Sequence, residues 1–138
     1  YSILKKINNR KLIMICANPD LVVNRGNVIE YCAGSVAKLY EKIGGEVEYF
    51  GKPHKYFYEY VFKIFKKKYK KIIKKDKILV IGDNLNTDIL GANNFNVKNL
   101  FVAGGIHKPE WNKKNRNLSQ FVLNKNFKIN YFQKELSW

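Results

Sequence analysis

Apolar residues along this chain fall into short dense runs and longer spaced runs, and the two kinds alternate. KLIMICA, at residues 11–17, is nearly continuous, which predicts a strand covered on both faces. GSVAKLYEKI, at 34–43, carries its apolar positions at helical spacing, and Gly44-Gly45 closes it. Residues 46–50 read as a short strand that stops at Gly51-Lys52-Pro53. Proline there suits the first turn of a following helix, where a missing N–H costs nothing. That helix is predicted over 54–75. Residues 77–81 form another buried run, ended by Gly82-Asp83. A helix is predicted over 87–95, with Asn86 or Thr87 as N-cap, and a strand over 100–102, closed by Gly104-Gly105. Residues 2–9 look like the end of a helix, and Asn18-Pro19-Asp20 and Gly26-Asn27 mark turns. The tail from His107 is polar and less regular, with a helix over 117–123 and Trp138 packing at the end.

The middle of the chain therefore reads strand, helix, strand, helix, strand. That alternation predicts an α/β fold of right-handed βαβ units, with a parallel sheet between helices. In such sheets function gathers at the carboxyl ends of the strands. Two conspicuous constellations, GKP and GDNLNTD, fall at those ends.

Composition narrows the class. The 138 residues suit one ordinary domain or two part-domains, and 46% apolar with 27% charged is the balance of a globular chain. No apolar run approaches the roughly 20 residues of a membrane helix, so no membrane partner is expected. Residues 1–10 lack a basic-then-apolar-then-small leader pattern. Cys16 and Cys32 form no CxxC pair and have no matched histidines, which predicts packed, reduced thiols in a cytoplasmic protein rather than metal ligands.

The formal charge of +15 raises a polyanion partner. Much of it lies in residues 63–77, beside Tyr56, Phe57, Tyr60, Val61, Ile64, Phe65, Ile72 and Ile73. Those apolar positions recur at helical spacing, so the lysines read as the outer face of one amphipathic helix. Arginine, the residue suited to bidentate base contacts, is scarce. Nucleic-acid binding is kept as the lesser alternative.

KILVIGDNLNTDILGA, at 77–92, carries the chemistry. A carboxylate just past a strand, after a glycine that permits a tight turn, is well placed to hold a divalent cation. Mg²⁺ takes oxygen ligands, commonly one or two carboxylates plus water and phosphate. Asp83 is the candidate direct ligand. Asp88 would bind through water, or orient a neighbouring cation or lysine. Asn84 and Thr87 would fix waters or cap the helix. The competing reading is that both aspartates only decorate a helix N-terminus, where negative charge is favoured anyway. Lys52, at the neighbouring strand end, supplies fixed positive charge of the kind phosphoryl transfer uses; otherwise it is a surface lysine. His54 is read as a helix-start residue facing water, and His107 as a loop residue.

Taken in order, ANPD, AGSVAKLYEKIGG, YFGKP, IGDNLNTDILGA and LFVAGGIH resemble the C-terminal half of a haloacid dehalogenase (HAD) superfamily hydrolase. The resemblance runs from about Lys11 to His107. It is nearest to subclass IIA, the group with NagD-type and pyridoxal-phosphate-phosphatase-type members. It implies a Rossmann-like core and a Mg²⁺-dependent phosphatase acting on a small phosphorylated metabolite. By the same resemblance Lys52 matches the lysine that stabilises the nucleophile and phosphoryl charge, Asp83 the Mg²⁺-coordinating aspartate, and Asp88 the supporting acid. Asn18 and Asp20 match a turn of the cap domain, with a role in substrate or cap–core contact. Residues 1–46 would end the cap, where similar proteins often pair as homodimers, and 47–138 would be the second half of the core.

The family's reaction begins at a DxD motif, whose first aspartate attacks phosphorus and whose second is the general acid and base. The sequence has no DxD motif. Together with Tyr1 in place of Met, this leads to the expectation that the chain is the C-terminal piece of a longer hydrolase and does not turn over alone. The alternative is a non-catalytic module that keeps a Mg²⁺ and phosphate site.

Overall fold

The computed structural model describes residues 1–26, 28–112 and 117–137. Asn27 of the expected second turn, and the packing expected of Trp138, lie outside the described residues.

The chain opens with helix α1 (Ser2–Asn9) and strand β1 (Met14–Cys16), followed by a hairpin of β2 (Val22–Arg25) and β3 (Val28–Tyr31). Helix α2 (Ala33–Lys42), strand β4 (Val47–Tyr49) and helix α3 (Lys55–Tyr69) follow. Strand β5 (Leu79–Gly82) leads through a π-helical turn (Leu85–Ile89) into α4 (Leu90–Phe95) and β6 (Lys98–Val102). Two short helices, α5 (Lys108–Trp111) and α6 (Leu118–Leu123), precede β7 (Tyr131–Gln133).

The fold is α/β with parallel pairing, in two sheets and a hairpin rather than one sheet. β1 pairs parallel with β4, and β5, β6 and β7 form a second parallel sheet in that order. β1 and β4, which pair, lie on opposite sides of residue 46. The β2–β3 pairing is antiparallel, with Val22 opposite Tyr31, and sequence reading saw only its turn. Helix α2 lies against β1 and β4, and the Tyr40 hydroxyl donates to the Leu12 carbonyl at 2.6 Å.

One hydrophobic cluster supports the second sheet. Leu85, Ile89, Phe101, Ala103, Trp111 and Phe121 pack together under α5 and α6. Burying each large apolar side chain contributes about 1.5–3 kcal/mol. Trp111 satisfies its one donor on the Ala103 carbonyl at 2.7 Å. Asn99 is fully buried, yet its amide reaches the Lys128 carbonyl at 2.8 Å and its carbonyl accepts from Asn130 N–H at 3.1 Å. These bonds help to draw residues 128–133 alongside β6, making a strand of a tail expected to be irregular.

Several expectations are corrected. β1 is shorter than expected and is not covered on both faces, since Ile15 is 68% exposed. β5 likewise shows Leu79 and Ile81 to solvent. Helix α3 stops at Tyr69 because Lys70 takes a left-handed conformation, φ 54°. Its packed seam is Tyr58 and Phe62, both against Phe95 of α4 with ring centroids 5.1 and 5.2 Å apart. Tyr56, Tyr60, Val61 and Ile64 face outward instead. Aromatic residues recur at helical spacing on both sides of α3, so spacing alone admits two stripes. Pro53 precedes α3 rather than entering its first turn: it lies in a turn closed by His54 N–H on the Gly51 carbonyl, with a cis Lys52–Pro53 peptide. The cap of the 85–89 turn is neither Asn86 nor Thr87 but Asn84, whose side chain accepts from Asn86 N–H.

Candidate active site

The two strand ends singled out by sequence meet. Lys52 follows β4, Asp83 follows β5, and both line one hollow of about 780 Å³ together with Asp20, Asn84 and Asp88. Gly104 and Gly105, after β6, form part of its wall, and Val22, Val23 and Ile29 reach it from the hairpin.

Asp88 is the buried member, with its side chain 7% exposed. A buried carboxylate needs compensation. Lys52 supplies it, with Nζ 2.5 Å from Oδ1, and Asn84 N–H donates to Oδ2 at 3.2 Å. Close packing needs the glycine of GDN: a Cβ on Gly82 would stand 2.1 Å from the Asp88 carboxyl carbon. Burial and Asp88 together act on Tyr58, whose buried hydroxyl has no hydrogen-bond partner among the described residues. Desolvation is the larger cause, and the phenol is pushed up to about 12, so it stays neutral.

Asp83 is held differently. Its Oδ2 accepts from Ile106 N–H at 3.0 Å, and it has no ion pair among the described residues. Its other oxygen has no hydrogen-bond partner among the described residues. Among the described residues no three His, Cys, Asp or Glu side chains come together as a metal cage. Two carboxylates lining one hollow fit a hard cation that takes few carboxylates and keeps water or phosphate oxygens, as Mg²⁺ does. Asp83 would hold it, with Asp88 and Lys52 fixing the charge beside it.

Asn84 joins the strand end to the N-terminal part of the chain. Its amide donates to Asp20 Oδ1 at 3.2 Å, while its carbonyl caps the turn at Asn86 N–H, 2.9 Å away. Asp20 is thus brought to the hollow. Asn18 does not line it: its side-chain oxygen accepts from Asp20 N–H at 3.2 Å and shapes the turn.

Both histidines differ from expectation. His54 stacks on Tyr49 with centroids 5.2 Å apart, rather than simply facing water. His107 is no plain loop residue. Its side chain is 12% exposed, its Nε2 accepts from Leu85 N–H at 3.2 Å, and its Nδ1 meets Glu110 Oε1. Burial works to raise the Glu110 carboxyl, but His107 and Lys125 outweigh it and hold the group below its ordinary value. The only local signal in the sequence was a His and a Glu three apart, which say nothing of Leu85.

Comparisons with known proteins bear on the family and the fold. The HAD-hydrolase-like family model matches residues 49–125. A haloacid dehalogenase-like hydrolase from Brucella suis 1330 is similar at 30% identity and a TM-score of 0.78, covering 99% of this chain and 48% of that one. NagD from Escherichia coli K-12 shares the fold, with 20% identity and a TM-score of 0.61, over 88% of this chain and 42% of its own. A cardiolipin synthase (CMP-forming)/mitochondrial hydrolase fusion protein of Schizosaccharomyces pombe is 38% identical over 64 residues, 44% of this chain and 11% of the fusion. The chain thus spans about half the length of the solved relatives it matches.

Proposed function

The chain belongs to the HAD-hydrolase-like family, and from that premise we propose that it supplies the lysine and the acidic pair of a Mg²⁺-dependent phosphomonoester hydrolase of the NagD-like kind. The observation that carries this reading is the meeting of Lys52, Asp83 and Asp88 in one hollow at strand ends.

Each residue has a task that follows from its surroundings. Lys52 stands between the Asp88 carboxylate and open space, so its charge is fixed in place before a phosphoryl group arrives. Preorganised charge of this kind favours a transition state in which negative charge spreads over the phosphoryl oxygens. Asp88 keeps the Lys52 ammonium aimed. Asp83 offers the metal its free carboxylate oxygen. The metal, when bound, supplies charge neutralisation on the phosphate. Asp20 and the hairpin reach the hollow from the N-terminal side, which supports reading the N-terminal part of the chain as the end of a cap, with its sheet running on into β4.

The nucleophile is the missing part. With no DxD motif in the sequence, the attacking carboxylate and the general acid come from a preceding segment of a longer protein, and the reaction passes through an aspartyl-phosphate. The substrate is the phosphomonoester of a small metabolite. The alternative, a Mg²⁺- and phosphate-binding module without turnover, rests on that same missing motif.

One experiment separates the two. The chain is joined to the N-terminal half of a HAD relative and assayed for Mg²⁺-dependent release of phosphate from 4-nitrophenyl phosphate. Turnover is expected in the fusion, and Lys52→Ala and Asp83→Ala should each lower it by about 10²-fold or more. Undiminished turnover in both variants would refute the assignment.

A further inference from the structure

We propose that His107 is a positioning residue, holding the backbone turn that carries Asp83 and Asp88 in its ligand-ready shape; this rests on the reading of that turn as the metal-holding part of the site. Two adjacent residues, Ile106 and His107, grip the stretch from Asp83 to Leu85. Ile106 N–H donates to Asp83 Oδ2 at 3.0 Å, and His107 Nε2 takes the Leu85 N–H at 3.2 Å. A backbone amide only donates, so Nε2 carries no proton. In the neutral ring the proton then sits on Nδ1, where Glu110 Oε1 accepts it. The other Glu110 oxygen accepts from Lys125 Nζ at 3.0 Å, and the ring lies among Phe101 and Phe121, with centroids 6.0 and 6.5 Å away. Tautomer and ring orientation are thereby set by Leu85, Glu110 and the two phenylalanines, none of which lines the hollow itself.

The bond matters because of where Leu85 stands. It is the first residue of the π-helical turn, whose opening N–H groups lack partners within the turn, and it is 1% exposed. Without an acceptor this N–H would be buried and unpaired, a cost the turn relieves by moving. Asp83 lies two residues before it and Asp88 three residues after it, so movement there displaces both carboxylates.

The test uses the full chain and three proteins: wild type, His107→Gln, whose amide oxygen can still accept, and His107→Phe, which fills the space without an acceptor. Amide exchange at Leu85 should be about tenfold faster in the Phe variant and near wild type in the Gln variant. Mn²⁺, titrated alone, should broaden the Asp83 and Asp88 amide signals of wild type. The Phe variant should need about tenfold more Mn²⁺ and the Gln variant within about threefold of wild type. A Phe variant with wild-type exchange and a wild-type Mn²⁺ midpoint overturns the proposal. So does a Gln variant that behaves as Phe. Absence of localised broadening in wild type would instead sink the metal reading, while the exchange comparison still decides the role of His107.

Discussion

A methyl group on Gly105 would stand 1.8 Å from Asp83 Oδ2, closer than any contact a Cβ tolerates. Gly105→Ala should therefore cost about 1–3 kcal/mol in urea unfolding, the range for overpacking, and should also displace Asp83. An unchanged midpoint would mean the carboxylate moves aside freely. Residue identity here was partly legible. Lys52, Asp83 and Asp88 could be picked out because each lies just past an apolar run, where an α/β chain turns toward its functional edge. His107 could not, because its partner is a backbone amide 22 residues away. That Asp88 would orient a lysine was within the sequence reading; that this lysine is Lys52 depends on how the 85–89 turn lifts Asp88 back over Gly82.

Elements were read best where a local chemical signal marked the boundary. Helix α6 begins where sequence placed it, because the Asn117 side chain accepts from Gln120 N–H at 2.8 Å. Asn117→Ala should lower stability by about 1 kcal/mol, and thermal or denaturant unfolding checks it; a change of a few tenths would show the cap is redundant. Helix α3 was read worst. Its length was overestimated because the lysine run carries no glycine or proline to stop it, and Lys70 ends it through conformation alone. The β2–β3 hairpin went unread for a related reason: LVVNRGNVIEY is a turn between two short runs without strict alternation. β7 owes its place to Asn99 and Asn130 bonding across the sheet edge, an arrangement with no local signature.

At the scale of the whole molecule, large apolar side chains remain open to solvent on both parallel sheets, among them Ile15, Leu79 and Ile81. No helix among the described residues is long and apolar enough to cross a membrane. The +15 charge acts at this scale too. It gives a non-specific attraction for polyanions that falls steeply with salt. Duplex DNA should therefore be retained weakly at about 50 mM salt and released by about 200 mM. Retention at the higher concentration, with preference for one sequence, would favour the nucleic-acid reading over the phosphatase reading.

The sequence by itself determined the α/β class, the order of the main strands and helices, and the acidic and basic residues stationed at strand ends. Those features follow from hydrophobic spacing and turn chemistry, which act over a few neighbouring residues. Only the tertiary structure decided which face of α3 is buried, that β1 pairs with β4 while β5 pairs with β6, that the lysine resting on Asp88 is Lys52, and that His107 accepts from Leu85 N–H. Each of these joins groups distant in the chain, whose meeting is chosen by packing and by the need to satisfy buried polar atoms.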